Sequence, residues 1–338
     1  MAFLRAWSQK TLGILNSVTA GLHFIWAFIF IILWGVTKDG DGDRHDQVYP
    51  LYSSFVMWAD PQITTGSDGE SIMYPHIVDA ECDVPKALDF GPHMQVTPGW
   101  KDSKSSISLH WLVVTFFALS GLFQTVSAVM GLAGGSNASS PTLRFIEYSI
   151  TSSIMIVAIA LQVGIMDAHT LALLATLIWA MMMCSLVCEK GRAAKKILTD
   201  VMQSAHHNNK KNDGQVYSHS EFGESLDEYD EEKKVSGALT KAVYITHFIG
   251  WALLSVTFYV IIGTFHGSQK SCDAPGSAPN FVWAIVYSQA VLFSSFLLVQ
   301  MIEIGEAVHW TQAEMAYILL SFVSKTLLGW LIYGGNFA

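Results

Sequence analysis

Charged residues are scarce in this chain. They make up 14% of its 338 residues, against about 25% in a soluble domain. With 51% hydrophobic residues and a mean hydropathy of +0.37, that shortage excludes an ordinary soluble domain and points to several membrane spans. The net charge of -9 does not contradict this, because 21 of the 28 acids sit in two loops, 37–106 and 190–238. No strongly basic surface stretch is present, so nucleic acid is not an expected partner. No internal repeat or domain-scale duplication is visible. The first apolar run, Leu22 to Val36, is followed by no small-x-small cleavage pattern and reads as a retained span.

What the chain does have is long apolar runs. A bilayer core about 30 Å thick needs roughly 20 apolar residues in a helix. Seven stretches qualify: about 11–36, 107–133, 142–166, 169–189, 239–265, 279–304 and 314–335. A single helix over 142–189 is too long for one crossing, so a tight turn is expected at Met166-Asp167-Ala168-His169. The predicted fold is an all-α, seven-transmembrane-helix bundle, one domain over 1–338, multi-pass in a lipid bilayer.

Two soluble insertions interrupt the spans. Residues 37–106 open on Asp39, Asp41, Asp43 and Asp46 and continue with aromatics and prolines, which suggests partial folding and a short hairpin around 48–58. Residues 190–238 start basic, where they can extend span four, and end acidic from Glu221 to Glu232. Much of 203–235 is expected to be disordered. The pair His206-His207 lies in that polar stretch and reads as a solvated loop, so no metal site is assigned.

Orientation follows from Lys and Arg. With the N-terminus inside, the cytoplasmic segments hold 12 of these residues, nine of them from Lys190 to Lys241, and the outer segments hold 6. Four of the cytoplasmic charges, Lys190, Arg192, Lys195 and Lys196, directly follow span four, where the positive-inside rule weighs most. The expected topology is N-terminus cytoplasmic and C-terminus extracellular. The sequon Asn137-Ala138-Ser139 then falls on the cytoplasmic side and is expected to be unused. Cysteine is scarce too, with four in all. Cys184 and Cys188, i and i+4 on span four, read as small packing residues. Cys82 and Cys272 both fall outside, where disulfides persist, and are the candidate bridge, with two unpaired thiols as the alternative.

The chemistry lies in the few charges within the spans, where an ionisable group costs about 2.5–3.5 kcal/mol on insertion scales. Lys325 sits near the middle of span seven, roughly 15 Å from either end at about 1.5 Å per residue, too far for easy snorkelling. A buried neutral amine is a good nucleophile toward an aldehyde, which gives a Schiff base. Burial disfavours the charged form of such a group unless an anion is near. Span three supplies Glu147, three residues after Arg144 and on the same helix face. That spacing also fits a simple Arg144–Glu147 ion pair, but Lys325 requires a counterion. Asp167, Glu303, Glu306 and Glu314 fall at span ends and are poorer candidates.

At these residues the sequence resembles a known family. Arg144-Phe145-Ile146-Glu147-Tyr148-Ser149, followed by small residues and Met155, is similar to the third-helix signature of heliorhodopsins. Span seven, with Ser321 one turn before Lys325 and Trp330 five residues after it, is similar to that family's retinal-lysine helix. Asn16 and Gly21-Leu22-His23 in span one are similar as well, so the resemblance extends over all seven spans. The inverted topology and the long loop after span one are family hallmarks.

The resemblance implies a rhodopsin-like bundle and a light-sensing retinal protein rather than an enzyme. Lys325 would carry all-trans retinal covalently as a Schiff base, with Glu147 as counterion. Ser321 and Ser120 would hydrogen-bond around that pair. Arg144 would lie just cytoplasmic of it, and His23 would face an inner polar cavity. Where the family often has a second cavity histidine, this chain has Gln124, which cannot take up a proton near neutral pH as His can. Tyr148, Met155, Trp179, Met181, Trp251, Phe258, Phe293 and Phe296 are candidate retinal contacts, each equally explained by ordinary helix packing. His110 and His247 lie near span ends, read as structural residues and receive no functional role. The implied partners are a second copy, with the outer loop in the interface, and a cytoplasmic signalling protein.

Two function classes follow. One is a photosensor. The other is a light-gated proton pathway, with Glu303 and Glu306 near the cytoplasmic end of span six, although the interior lacks acids along a continuous path. A receptor or transporter with a purely structural Lys325–Glu147 pair is the non-photic alternative.

Overall fold

The computed structural model describes residues 9–36, 48–59, 64–65, 71–72, 88–89, 95–133, 141–212, 219–270 and 279–336. Its helices are α1 (Gln9–Val36), α2 (Leu109–Leu132), α3 (Pro141–Gln162), α4 (Ala168–Asn212), α5 (His219–Lys270), α6 (Asn280–Ile304) and α7 (Trp310–Asn336). All 7 are long and apolar enough to cross a membrane. Each packs on its chain neighbour, and α7 returns to α1 and closes the ring. The outer faces carry large apolar side chains such as Phe28, Val129 and Val291, each more than half exposed. Exposure of this kind suits lipid, where only closed backbone hydrogen bonding and an apolar exterior are stable.

Local chemistry explains the helix ends. Pro141 opens α3, where its missing N–H removes no helical bond. The turn expected at 166–169 falls at residues 163–167, about three residues earlier, between the end of α3 and the start of α4. Gly164 takes a left-handed φ of 87°, which glycine alone adopts without strain. Asp167 then caps α4, its Oδ2 accepting from the Thr170 N–H and hydroxyl at 2.7 Å each. Between α1 and α2 the approach is close enough that a Cβ on Gly13 would stand 3.2 Å from the backbone of Gly131 and Leu132.

Strands lie in the chain between α1 and α2, and the β1–β5 pair sits at the end of the bundle where α2 begins. They are β1 (Val48–Ala59), β2 (Thr64–Thr65), β3 (Ser71–Ile72), β4 (Leu88–Asp89) and β5 (Gln95–Ser108). The main sheet has the order β1-β5-β4, and β2 pairs with β3. Residues 48–58 are thus not a hairpin but one strand, paired antiparallel with β5 from Val48↔Ser108 to Ala59↔Gln95. The partner lies too far along the chain for a local pattern to reveal it. Tyr49 anchors the sheet to the bundle by accepting from Gln162 Nε2 at 3.2 Å. Burial raises the Tyr49 hydroxyl above its ordinary pKa, and the Gln162 bond opposes this.

At the opposite end α4 and α5 overrun the bilayer. With 45 and 52 residues they are about 68 and 78 Å long at roughly 1.5 Å per residue, more than twice a membrane core. The stretch read as a loop over 190–238 is therefore helical at both ends, up to Asn212 and from His219. Neither arm contains proline, and Asp230 lies three and four residues before Lys233 and Lys234, spacings that favour helix. Polarity ended the apolar run there without ending the helix. Cys82, Cys272, the 39–46 acidic run and the sequon at 137–139 lie outside the described residues.

Candidate functional site

The amine of Lys325 lies in the middle of the bundle. Its residue is 2% exposed. Nζ donates to Glu147 Oε1 on α3 at 3.0 Å and to Ser321 Oγ, one turn earlier on α7, at 2.6 Å. Glu147 belongs to the inward face of α3 with Tyr148, Thr151 and Ser152, and Thr151 Oγ1 donates to the Glu147 carbonyl at 3.0 Å. The Tyr148 ring stands 5.2 Å from Nζ, within cation–π range, and its hydroxyl donates to the Tyr317 carbonyl at 2.9 Å. On α6 Gln289 Nε2 donates to the Ser324 carbonyl at 3.2 Å and ties that helix to the lysine-bearing turn.

The charges divide into separate pairs. Arg144 forms its ion pair with Glu314 of α7, and its guanidinium stacks 4.2 Å from the Tyr317 ring and 4.6 Å from Phe145. The i, i+3 relation of Arg144 and Glu147 is thus used by neither, because each has a buried partner on α7. Glu314 and Glu303, which their positions near span ends made poor candidates, are both 3% exposed. Arg192 of α4 reaches Glu303 at 2.6 Å and both Glu189 oxygens at 2.9 Å, while the Tyr317 hydroxyl donates to Glu303 Oε2 at 3.4 Å. Lys195 meets Glu306 at 3.4 Å. Glu306 takes a φ of 57° in the turn that ends α6.

The remaining expected residues separate by face. His23, Ser120 and Gln124 are all buried. The His23 ring packs 5.7 Å from Phe117 and 5.5 Å from Phe322. Among the described residues, Ser120 Oγ, Gln124 Oε1 and both His23 nitrogens have no hydrogen-bond partner. Ser120 therefore does not join the Lys325–Glu147 bonding as expected, and Ser321 supplies the hydroxyl there. Tyr148, Met155, Met181, Phe258 and Phe293 are core residues, and Trp251 and Phe296 pack against them. Trp179 is 49% exposed on the outer face of α4 and leaves the pocket set, since its helix turns it away from the core. A cavity of about 10 Å³, space for roughly one water, lies among Tyr148, Met181, Ser185, Phe296, Gln300 and Tyr317.

His247, read from the sequence as a structural residue near a span end, is drawn into the core. It is 1% exposed in the interior, with Trp251 Nε1 donating to its Nε2 at 3.0 Å and Gln300 Oε1 lying 3.2 Å from its Nδ1. The i, i+4 spacing of His247 and Trp251 was the one sequence signal for this contact. Gln300 itself gave none.

Ring and site together define a class: an integral, multi-pass membrane protein of seven helices with a buried lysine–carboxylate pair between the third and the seventh. The heliorhodopsin family model matches residues 78–203 and 222–337, most of the chain, and the protein belongs to the heliorhodopsin family. The matched residues contain α2, α3, α6, most of α4 and α5, and α7, so α1 with Asn16 and His23 lies ahead of the match, short of the full seven spans expected. No curated protein matches the sequence. Membership makes this a light-sensing protein of the retinal type.

Proposed function

We propose that Lys325 carries retinal through a Schiff base, that Glu147 is the counterion, and that the chain reports light to the cell. The observation that carries this is the buried amine held 3.0 Å from a carboxylate and 2.6 Å from a hydroxyl. The donor set fits the group: one nucleophilic amine, one anion to balance it, and the Tyr148 ring 5.2 Å from the amine. Bound retinal, all-trans in the dark, supplies visible absorption and a light-driven change of shape.

The chain's own residues do the rest. Glu147 holds positive charge at Nζ, and Ser321 directs the amine toward it. Pairing Arg144 with Glu314 leaves the Glu147 charge to Lys325. Tyr148, itself buried and 5.2 Å from Nζ, helps to exclude water from the amine. The proposed orientation has α4 and α5 overrunning the membrane into the cytoplasm, in line with the basic run after span four. Their length offers a surface for a signalling partner, and the β1–β5 end would lie outside, in the interface of a homodimer. Borohydride reduction of retinal-loaded protein followed by peptide mass spectrometry tests the attachment. A retinyl adduct on the Lys325 peptide is expected, and an adduct elsewhere, or none, overturns it.

A second reading is light-gated proton conductance. Buried Glu303, between Tyr317 and Arg192, favours it by extending polar groups from the site toward the α4 arm. Photocurrent under voltage clamp that reverses with the proton gradient would support it, and a silent membrane would leave the photosensor.

A further inference from the structure

A one-way run of buried and half-buried hydrogen bonds joins α5, α6 and α4 outside the Lys325 site. Trp251 Nε1 donates to His247 Nε2 at 3.0 Å, which makes that nitrogen an acceptor. The proton of the neutral ring then lies on Nδ1, facing Gln300 Oε1 at 3.2 Å. Gln300 Nε2 donates onward to the Ser185 carbonyl at 2.9 Å. The other tautomer would set the Trp251 N–H against a second N–H. The run therefore fixes the His247 tautomer and, through Gln300, the rotation of α6 between α4 and α5.

That rotation matters one turn away. Gln300 and Phe296 are i and i+4 on α6 and share a face. The Phe296 ring meets the Tyr148 ring edge-on at 5.4 Å and 78°, and lies 6.3 Å from the Tyr317 ring. Tyr148 is the aromatic group standing 5.2 Å from Lys325 Nζ. Gln300 and Ser185 also share the small cavity with Phe296, Tyr148 and Tyr317, so the run and the aromatic wall meet around one space. Turning α6 would move Gln300 and Phe296 together and open the wall beside the amine.

We infer that His247 and Gln300 are positioning residues for the chromophore site, acting through Phe296 and Tyr148 on the surroundings of Lys325. The inference rests on the retinal reading for its consequence, but not for its geometry. Two readouts separate them. In retinal-loaded protein, His247→Leu should move the visible maximum, and His247→Asn, whose amide can donate to Gln300 and accept from Trp251, should return it toward the wild-type position. In retinal-free protein, the near-ultraviolet circular dichroism difference between wild type and Tyr148→Phe reports Tyr148 packing. That difference should collapse in the His247→Leu background and persist with His247→Asn. If His247→Leu does not fold, Gln300→Met replaces it with the same readouts. Folded variants with an unmoved maximum and an unchanged Tyr148 signal would reduce the run to helix-to-helix adhesion and overturn the proposal. A wild type without a visible band would overturn the retinal reading, and the dichroism would still decide whether His247 positions Tyr148.

Discussion

Replacing Glu147 by Gln removes one charge and little else. At the 3.0 Å separation from Lys325 Nζ, the Coulomb attraction is about 5.5 kcal/mol at an effective dielectric of roughly 20. The amide keeps an acceptor facing the nitrogen, which returns about 0.5–1.5 kcal/mol. The remainder, about 4–5 kcal/mol, agrees with the ~3–5 kcal/mol lost when a buried pair is broken from one side. At about 1.4 kcal/mol per factor of ten, the ratio of cationic to neutral nitrogen should fall by about a hundred- to a few-thousand-fold. In retinal-loaded protein that ratio is read from the visible band against the near-ultraviolet band at one fixed neutral pH. Arg144→Gln is the control, since Arg144 pairs with Glu314; it should change the ratio less than about tenfold. A Glu147→Gln ratio within about threefold of wild type, or an equal response to Arg144→Gln, would refute the sorting of charges into two pairs.

Other substitutions test the packing, with thermal unfolding in detergent as the readout. Trp179→Phe on the exposed face of α4 should change stability by no more than about 0.5 kcal/mol and leave the band in place. Met155→Ala, at a position 2% exposed, should cost about 2–5 kcal/mol. Gly164→Ala forces a side chain into a φ of 87° and should cost about 1–2 kcal/mol. Asp167→Ala should cost about 0.5–2 kcal/mol through loss of the α4 cap. Arg192→Met leaves Glu303 without its 2.6 Å partner and should cost about 1.5–3 kcal/mol.

Seven spans were legible because apolar runs of membrane length seldom form anything but membrane spans, and the turn at 163–167 was legible because one helix could not cross twice. The far ends of α4 and α5 were not, since hydropathy reports what enters lipid and not where hydrogen bonding stops. Pairing of β1 with β5 was hidden for another reason: its register joins Val48 to Ser108 across the whole insertion. At the site, Lys325 stood out as a charge in mid-span, and Glu147, one turn after Arg144 in span three, followed as the anion that lysine requires. Glu314 and Glu303 were discounted from position along the helix, but burial depends on which face a residue occupies and what packs over it. The same limit misassigned Trp179, and His247 gained meaning only when α6 brought Gln300 beside it.

On the proposed reading, Lys325 is where this protein holds a light-absorbing group. The most direct measurement is the visible spectrum of the full chain expressed with all-trans retinal, beside Lys325→Ala. A visible band in the wild type, absent from a folded Lys325→Ala with normal helical content, is the predicted result. A band that survives in Lys325→Ala, or a folded wild type that shows none, would contradict it.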